Sequence, residues 1–88
     1  MEELELITVY SKPSCQQCNA TERALTRSDI PYVLSPLDDD ALALVERMGL
    51  GRTAPVVVVS HPETGKVIDA WTGYNPGKLR GLDHTPRT

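Results

Sequence analysis

The chain alternates between short apolar blocks and polar stretches rich in proline and glycine, and each apolar block has the length of one strand or helix. Leu4 to Tyr10 carries apolar residues on both alternating faces, which predicts a strand covered on both sides. Ser14 and Gln17 then match a capping box, with Ser14 as the N-cap and Gln17 at the third helical position. We expect this helix to run to about Ser28, because Pro31 disfavours a helical residue before it.

A second strand and a second helix follow. Tyr32 to Leu34 is a short apolar block, and Asp38 to Asp40 places an N-cap and acidic side chains at the positive end of the helix. Gly49 is suited to end this helix in a left-handed conformation. The stripe expected to face the core consists of Leu42, Val45 and Met48.

The last part of the chain predicts a hairpin and a closing helix. Val56 to Val59 is too short and too rich in β-branched residues for a helix. The turn at His61 to Gly65 joins it to a partner strand from Lys66 to Trp71. Asn75-Pro76 supplies an N-cap and a proline at the first helical position, which predicts a final helix.

The predicted order of elements is therefore β-α-β-α-β-β-α. A right-handed parallel βαβ unit comes first, and an antiparallel hairpin and a helix complete it. This order predicts an α/β fold with a mixed four-stranded sheet and three helices on its two faces. We expect residues 1–82 to form a single domain and residues 83–88 a flexible tail, since a chain of 88 residues supplies one core.

Charge and composition narrow the classes of function. The net charge is −3 and the basic residues are dispersed, so we expect no surface that binds nucleic acid. No apolar run reaches the roughly 18 residues of a membrane span, and Met1-Glu2-Glu3 is acidic where a secretory signal is basic. These features predict a cytoplasmic protein that does not bind membranes, and we expect it to be a monomer.

Cys15 and Cys18, the two cysteines of the chain, carry its strongest chemical signal. Residues three apart at the start of a helix lie close enough to form a disulfide. A four-residue loop stabilises a fold by only about 2 kcal/mol, against roughly 3 kcal/mol for a fifteen-residue loop. A bond that is made and broken therefore explains the pair better than a structural cross-link does.

The helix terminus makes the two thiols unequal. Its unpaired N–H groups and positive dipole favour a thiolate at Cys15, and Lys12 adds positive potential. Cys15 is therefore the predicted nucleophile. Cys18 is expected to face the core and to attack only after Cys15 has formed a mixed disulfide with a substrate.

Two other interpretations of the cysteine pair remain open. The cysteines could be small core residues, or they could belong to a metal or iron–sulfur site. Structural zinc needs about four ligands, and the other obvious candidates, His61 and His84, lack zinc-finger spacing. We therefore predict no metal site.

Three segments of the chain form a combined pattern: Val9 to Thr21 with the adjoining Arg23-Ala24-Leu25, Ala54-Pro55-Val56-Val57-Val58, and Trp71-Thr72-Gly73-Tyr74. Taken together, they resemble the glutaredoxin family generally and the NrdH-redoxins closely. The segments occur in the family's order, and the resemblance extends over nearly the whole chain. It implies a thioredoxin fold in a glutaredoxin-like form.

The resemblance also implies a function in deoxyribonucleotide synthesis. Such proteins donate electrons to the large subunit of class Ib ribonucleotide reductase and are reduced by thioredoxin reductase, which draws on NADPH. No bound cofactor is implied beyond the reversible Cys15–Cys18 disulfide.

The family match further implies a surface that binds the partner protein. The Ala54-Pro55 peptide bond is expected to be cis, and the backbone of Ala54 would pair with an extended substrate segment. Trp71 and Tyr74 would supply apolar contact, although both could instead be core or rim aromatics. The full predicted set is Lys12, Thr53, Ala54, Pro55, Trp71, Thr72, Gly73 and Tyr74.

A glutathione-dependent glutaredoxin is the nearest alternative. Such relatives commonly have Pro-Tyr between the cysteines and Gly-Gly with an acidic residue near the last helix. Here Gln16-Gln17 and Gly73-Tyr74-Asn75 stand at those places. The sequence therefore favours a protein disulfide as substrate. Two departures from the NrdH pattern, a longer hairpin at Ser60 to Val67 and Asn75 where arginine is common, bear on the choice of partner.

Overall fold

The computed structural model describes residues 5–51 and 53–82. Within these residues the predicted order of strands and helices is confirmed. The elements are β1 (Leu6–Ser11), α1 (Gln16–Arg27), β2 (Val33–Pro36), α2 (Asp39–Arg47), β3 (Val56–Ser60), β4 (Val67–Thr72) and α3 (Pro76–Leu82). None of these helices is long and apolar enough to cross a membrane. Leu4 and the predicted tail at residues 83–88 lie outside the described residues.

The strands form one mixed sheet in the order β2-β1-β3-β4. β1 runs parallel to β2 and antiparallel to β3, and β4 is antiparallel to β3. Tyr10 near the end of β1 pairs with Val56 at the start of β3, and Val56 pairs with Thr72 at the end of β4. The segments after β1, before β3 and after β4 therefore meet at one end of the sheet, although they are far apart in sequence.

The sheet has a hydrophobic cluster on each face, and β3 contributes to both. Val57 and Val59 belong to the cluster beneath α1 and α3, while Val56 and Val58 pack with Val45 of α2. Burying one such side chain stabilises the fold by about 1.5–3 kcal/mol. The larger cluster consists of Ile7, Val9, Leu25, Ile30, Val57, Val59, Trp71, Leu79 and Leu82.

The caps of α2 and α3 follow the sequence predictions. Asp38 accepts a hydrogen bond from the N–H of Ala41 at 3.0 Å, and α2 is followed by Gly49 at φ 77°. Asn75 accepts from the N–H of Lys78 at 3.2 Å, directly before the proline that begins α3.

Burial on the α2 face differs from the sequence prediction. Ala41 and Val45 are the buried residues of α2, whereas Leu42 and Met48 are half-buried. Leu6 of β1 is 41% exposed, so the two-sided cover predicted for this strand is incomplete at its start. Ala41 and Val45, four residues apart, are the α2 residues that face the Val56 and Val58 side of the sheet, which leaves Leu42 at the edge of the contact, and Leu6 lies outside the cluster formed there.

Candidate active site

Cys15 is the N-cap of α1. Its backbone is extended, with φ −110° and ψ 108°, and its sulfur accepts a hydrogen bond from the N–H of Cys18 at 3.1 Å. The prediction that Ser14 is the N-cap is wrong, since Ser14 lies one residue earlier at φ 58°. The capping-box rule looks for a side-chain oxygen, whereas here a sulfur takes the free N–H of the first helical turn.

Cys15 and Cys18 are joined by a disulfide, with their Cα atoms 5.2 Å apart. Cys15 is partly exposed, whereas Cys18 is 1% exposed and faces the core, as predicted. The Cys15 sulfur lies at the positive end of α1, within hydrogen-bonding distance of the N–H of Cys18. The pair thus combines an accessible sulfur with a sheltered one.

The segment before β3 forms the second part of the site. The Ala54-Pro55 peptide bond is cis, as the family resemblance implied. Ala54 and Pro55 are buried, and Thr53 is exposed. The carbonyl of Pro55 accepts a hydrogen bond from the N–H of Gly73 at 2.8 Å. This bond ties the segment to the loop between β4 and α3.

Gln17 ties the same loop to α1. Its side-chain Oε1 accepts a hydrogen bond from the N–H of Tyr74 at 2.8 Å, across 57 positions in the chain. Gly73 has φ 79°, and a Cβ added there would lie 3.0 Å from Gln17 Oε1. Glycine suits this position because of its positive φ, and a larger residue would also require the Gln17 side chain to move away.

Sequence reasoning missed this role of Gln17. It assigned Gln17 to a capping box and used Gln16-Gln17 only to distinguish two kinds of redox protein. A useful signal was present, since an exposed amide side chain in the first helical turn can reach a neighbouring loop. The partner, Tyr74 N–H, becomes visible only once the sheet brings the two segments together.

Trp71 and Tyr74 occupy different environments. Trp71 is 6% exposed and belongs to the core cluster, whereas Tyr74 is 43% exposed. Trp71 Nε1 is buried and has no hydrogen-bond partner among the described residues. Thr72, between them, is half-buried at the end of β4. Of the two aromatic side chains, Tyr74 offers the larger contact surface.

Lys12 lies on the side of the cysteine pair that faces β2. It is exposed and lines an open groove of about 440 Å³ together with Cys18, Asn19 and Leu34. Of the predicted site residues, the structure connects Cys15 and Cys18 with Pro55, Gly73 and Tyr74 through Gln17 and backbone hydrogen bonds. Lys12 and Thr53 are exposed residues of the same end of the sheet.

Charged groups near β4 are paired on the surface. Lys78 Nζ lies 2.8 Å from Asp69 Oδ2 and 5.9 Å from the centroid of the Trp71 ring. The hydrogen bond from Lys78 holds the pKa of the Asp69 carboxyl below its ordinary value, and the N–H of Ala70 acts in the same direction.

Residues 5–51 and 53–82 give no support for a metal site. These residues contain no group of three or more His, Cys, Asp or Glu side chains that could hold a metal ion. His61 Nδ1 accepts hydrogen bonds from the N–H groups of Glu63 and Thr64 within the hairpin turn. His84, the other candidate ligand from the sequence, lies outside the described residues.

Comparison with known proteins places this geometry among redox proteins. The glutaredoxin family model matches residues 7–61. The chain is 29% identical over 82 residues to the glutaredoxin-like protein NrdH of Salmonella typhimurium, and the match covers 91% of each chain.

Comparison with solved structures also finds redox proteins of this kind. The structure of the glutaredoxin-like NrdH-redoxin of Escherichia coli is similar, with a TM-score of 0.72 and 27% identity over 92% of this chain and 99% of that one. Mitochondrial thioredoxin 3 of Saccharomyces cerevisiae, in its oxidized form, has a TM-score of 0.63 at 19% identity, covering 90% of this chain and 76% of its own. The second likeness shows a shared fold, and the predicted thioredoxin fold is confirmed.

Proposed function

The chain belongs to the glutaredoxin family, and from this premise we propose that it reduces a disulfide bond in another protein. It is a glutaredoxin-like thiol–disulfide oxidoreductase similar to the NrdH proteins. The proposed substrate is the large subunit of class Ib ribonucleotide reductase. The proposed reductant is thioredoxin reductase, which draws its electrons from NADPH, and the proposed setting is the cytoplasm.

One observation carries the proposal: the two sulfurs of the disulfide differ in accessibility and in electrostatic environment. The partly exposed Cys15 sulfur accepts the N–H of Cys18 at 3.1 Å at the positive end of α1, while Cys18 is 1% exposed. An exposed sulfur that is stabilised as a thiolate is suited to attack, and a sheltered sulfur is suited to resolve.

The exchange proceeds in two steps. In the reduced protein the Cys15 thiolate attacks one sulfur of the substrate disulfide, and the other substrate sulfur leaves as a thiolate. Cys18 then loses its proton and attacks the Cys15 sulfur of the mixed disulfide, which releases the second substrate sulfur. Two electrons pass to the substrate, which takes up one proton from Cys18 and one from the solvent as its dithiol, and the Cys15–Cys18 disulfide forms.

The substrate segment is proposed to lie along the surface between the cysteines and the loop after β4. The backbone of Ala54 would pair with it as an added strand, and exposed Tyr74 would supply apolar contact. The proposed partner-binding set remains Lys12, Thr53, Ala54, Pro55, Trp71, Thr72, Gly73 and Tyr74.

Two features support a protein substrate over glutathione. The N–H of Tyr74 is already bonded to Gln17, and the N–H of Gly73 to the carbonyl of Pro55, so neither donor is free for a small anionic thiol. The Escherichia coli NrdH-redoxin, a glutaredoxin-like protein, has a thioredoxin-like activity profile.

The proposal is tested by a coupled assay of NADPH oxidation with two reducing systems. We expect thioredoxin reductase to reduce this protein efficiently, and glutathione with glutathione reductase to reduce it poorly. Reduced protein is then offered to class Ib ribonucleotide reductase, and deoxynucleotide formation is measured. Efficient turnover with glutathione and none with thioredoxin reductase would overturn the proposal in favour of a glutathione-dependent glutaredoxin.

A further inference from the structure

Two neighbouring backbone N–H groups of the loop after β4 have different kinds of hydrogen-bond partner. The N–H of the buried Gly73 donates to the Pro55 carbonyl at 2.8 Å, which joins two main-chain segments. The N–H of Tyr74 donates instead to a side-chain atom, Oε1 of Gln17, also at 2.8 Å. Gln17 and Tyr74 are both exposed. A substitution at Gln17 therefore frees the Tyr74 N–H while the main-chain bond of Gly73 stays in place.

The Gln17 carboxamide lies beside the redox pair and against the loop. Gln17 stands between Cys15 and Cys18 in the first turn of α1. A Cβ added to Gly73 would lie 3.0 Å from its Oε1 atom, so the carboxamide is in close contact with the backbone of the loop. Because a hydrogen-bond acceptor must lie about 3 Å from the donor nitrogen, Oε1 occupies the place that any other acceptor of the Tyr74 N–H would need.

A carboxylate is the kind of acceptor that gains most from such a donor. A hydrogen bond from a backbone N–H to a charged oxygen is stronger than one to a neutral oxygen. A small thiol such as glutathione carries carboxylates and has few other groups with which to bind, whereas a protein substrate contacts a much larger surface. Loss of one donor beside the cysteines therefore weakens the binding of a small anionic thiol more than the binding of a protein.

We propose that Gln17 is a specificity-determining residue, whose carboxamide occupies the Tyr74 N–H and thereby excludes small thiols that carry a carboxylate. This inference rests on the proposed function, since it concerns the same cysteine pair. In reduction by glutathione, one thiolate attacks the Cys15 sulfur and Cys18 leaves. A second thiolate attacks the mixed disulfide, which yields glutathione disulfide, and the two protons of the glutathione thiols pass through solvent to the protein thiols. Gln17 acts on the binding that precedes the first attack.

The test is an NMR titration of the whole ¹⁵N-labelled protein, in its disulfide form, with S-methylglutathione, which has no free thiol and cannot react. We expect Gln17→Ala to bind this probe about fivefold more tightly than the unchanged protein does, with a shift of the Tyr74 amide signal, because the freed N–H gains a charged acceptor. The diethyl ester of the same probe has the same peptide framework without the carboxylate charges. Its affinity should be equal for the two proteins.

Two further variants separate specificity from loop structure. Gln17→Glu keeps an acceptor for the Tyr74 N–H and adds a negative charge, so the gain in affinity for S-methylglutathione should be absent. Gln16→Ala is the matched control, because the exposed Gln16 side chain makes no hydrogen bond within residues 5–51 and 53–82. It should bind as the unchanged protein does. Thermal melts verify that all variants fold. A substitution that only loosened the loop would not produce a gain that depends on carboxylates.

The same variants are then compared in reduction by glutathione coupled to glutathione reductase, where Gln17→Ala should react about fivefold faster at low glutathione concentration. Three results would overturn the proposal: equal affinity of Gln17→Ala and the unchanged protein for S-methylglutathione, an equal gain with the diester, or an equal gain in Gln17→Glu. Reduction of the unchanged protein by thioredoxin reductase is measured separately. If that reduction fails while the carboxylate-dependent gain is present, the proposed function is wrong and the role of Gln17 stands.

Discussion

The end of the sheet that carries the cysteines and the opposite end, which carries the β3–β4 turn, are held together differently. At the cysteine end, Gln17 bonds to Tyr74 and Gly73 bonds to Pro55, so residues distant in sequence are joined. At the turn, His61 bonds to Lys66 and Gly65 within a few residues of itself. The difference indicates that the geometry of the site depends on the whole fold, whereas the turn depends on its own sequence.

The largest expected effect concerns the two cysteines. Cys15→Ser should abolish electron transfer in the NADPH-coupled assay, because it removes the accessible sulfur that attacks the substrate. Cys18→Ser should retain the nucleophile and accumulate a mixed disulfide, seen as an adduct in non-reducing mass spectrometry. Trapping by Cys15→Ser instead of Cys18→Ser would reverse the two roles.

Two glycines with similar backbone conformations, one at each end of the sheet, allow a direct comparison of the two ends. Gly73 has φ 79° and an added Cβ would lie 3.0 Å from Gln17 Oε1, whereas Gly65 has φ 75° with nothing within 4 Å. Gly65→Ala should cost about 1 kcal/mol of unfolding free energy through backbone strain alone, and Gly73→Ala about 1.5–2 kcal/mol, because the Gln17 side chain must also move away. Urea unfolding measures both. Equal costs would show that the close approach at Gly73 carries no energy.

Gln17→Ala tests whether the long-range hydrogen bond positions the site. The exposed bond to Tyr74 contributes about 0.5–1 kcal/mol to stability, so we expect a small change in urea unfolding. The KM for thioredoxin reductase should rise several-fold, because the loop after β4 loses its fixed position. Gln16→Ala is the control, since the exposed Gln16 side chain makes no hydrogen bond within residues 5–51 and 53–82. Equal KM values in the two variants would contradict a positioning role.

The smallest expected effect is the pH dependence of the Asp69–Lys78 pair. The pKa of Asp69 is lowered in the folded protein, so its contribution is present above the ordinary value of 3.8 and is lost as the pH falls through the lowered value. Both side chains are nearly half exposed, which limits the pair to about 0.2–1 kcal/mol. A double-mutant cycle of Asp69→Asn and Lys78→Gln, measured at pH 7 and pH 2.5, should show weaker coupling at the lower pH. Coupling of the same size at both pH values would contradict this assignment.

Local sequence signals predicted most of the fold. The caps at Asp38 and Asn75, the left-handed Gly49 and the β-branched run in β3 each act within a few residues, and the structure has them as expected. The cysteine pair was also visible, since its spacing alone brings the sulfurs together.

The remaining features depend on packing between elements. Leu6 is exposed because it lies outside the cluster beneath α2, and Leu42 is half-buried because Ala41 and Val45 are the α2 residues that face the sheet. The hydrogen bond from Tyr74 to Gln17 requires the sheet to be formed first. Cys15, and not Ser14, is the N-cap because its sulfur accepts the N–H that the capping rule assigns to a side-chain oxygen.

The buried side chain of Trp71 is an intrinsic fluorescence probe of this protein. Trp71 is the only tryptophan of the chain and lies in the cluster beneath α1 and α3, opposite the side that α2 covers. Its fluorescence therefore reports the solvation of one layer, while far-ultraviolet circular dichroism reports helices in both. If the circular dichroism changes before the fluorescence during denaturation, α2 separates from the sheet before the layer beneath the cysteine-bearing helix opens.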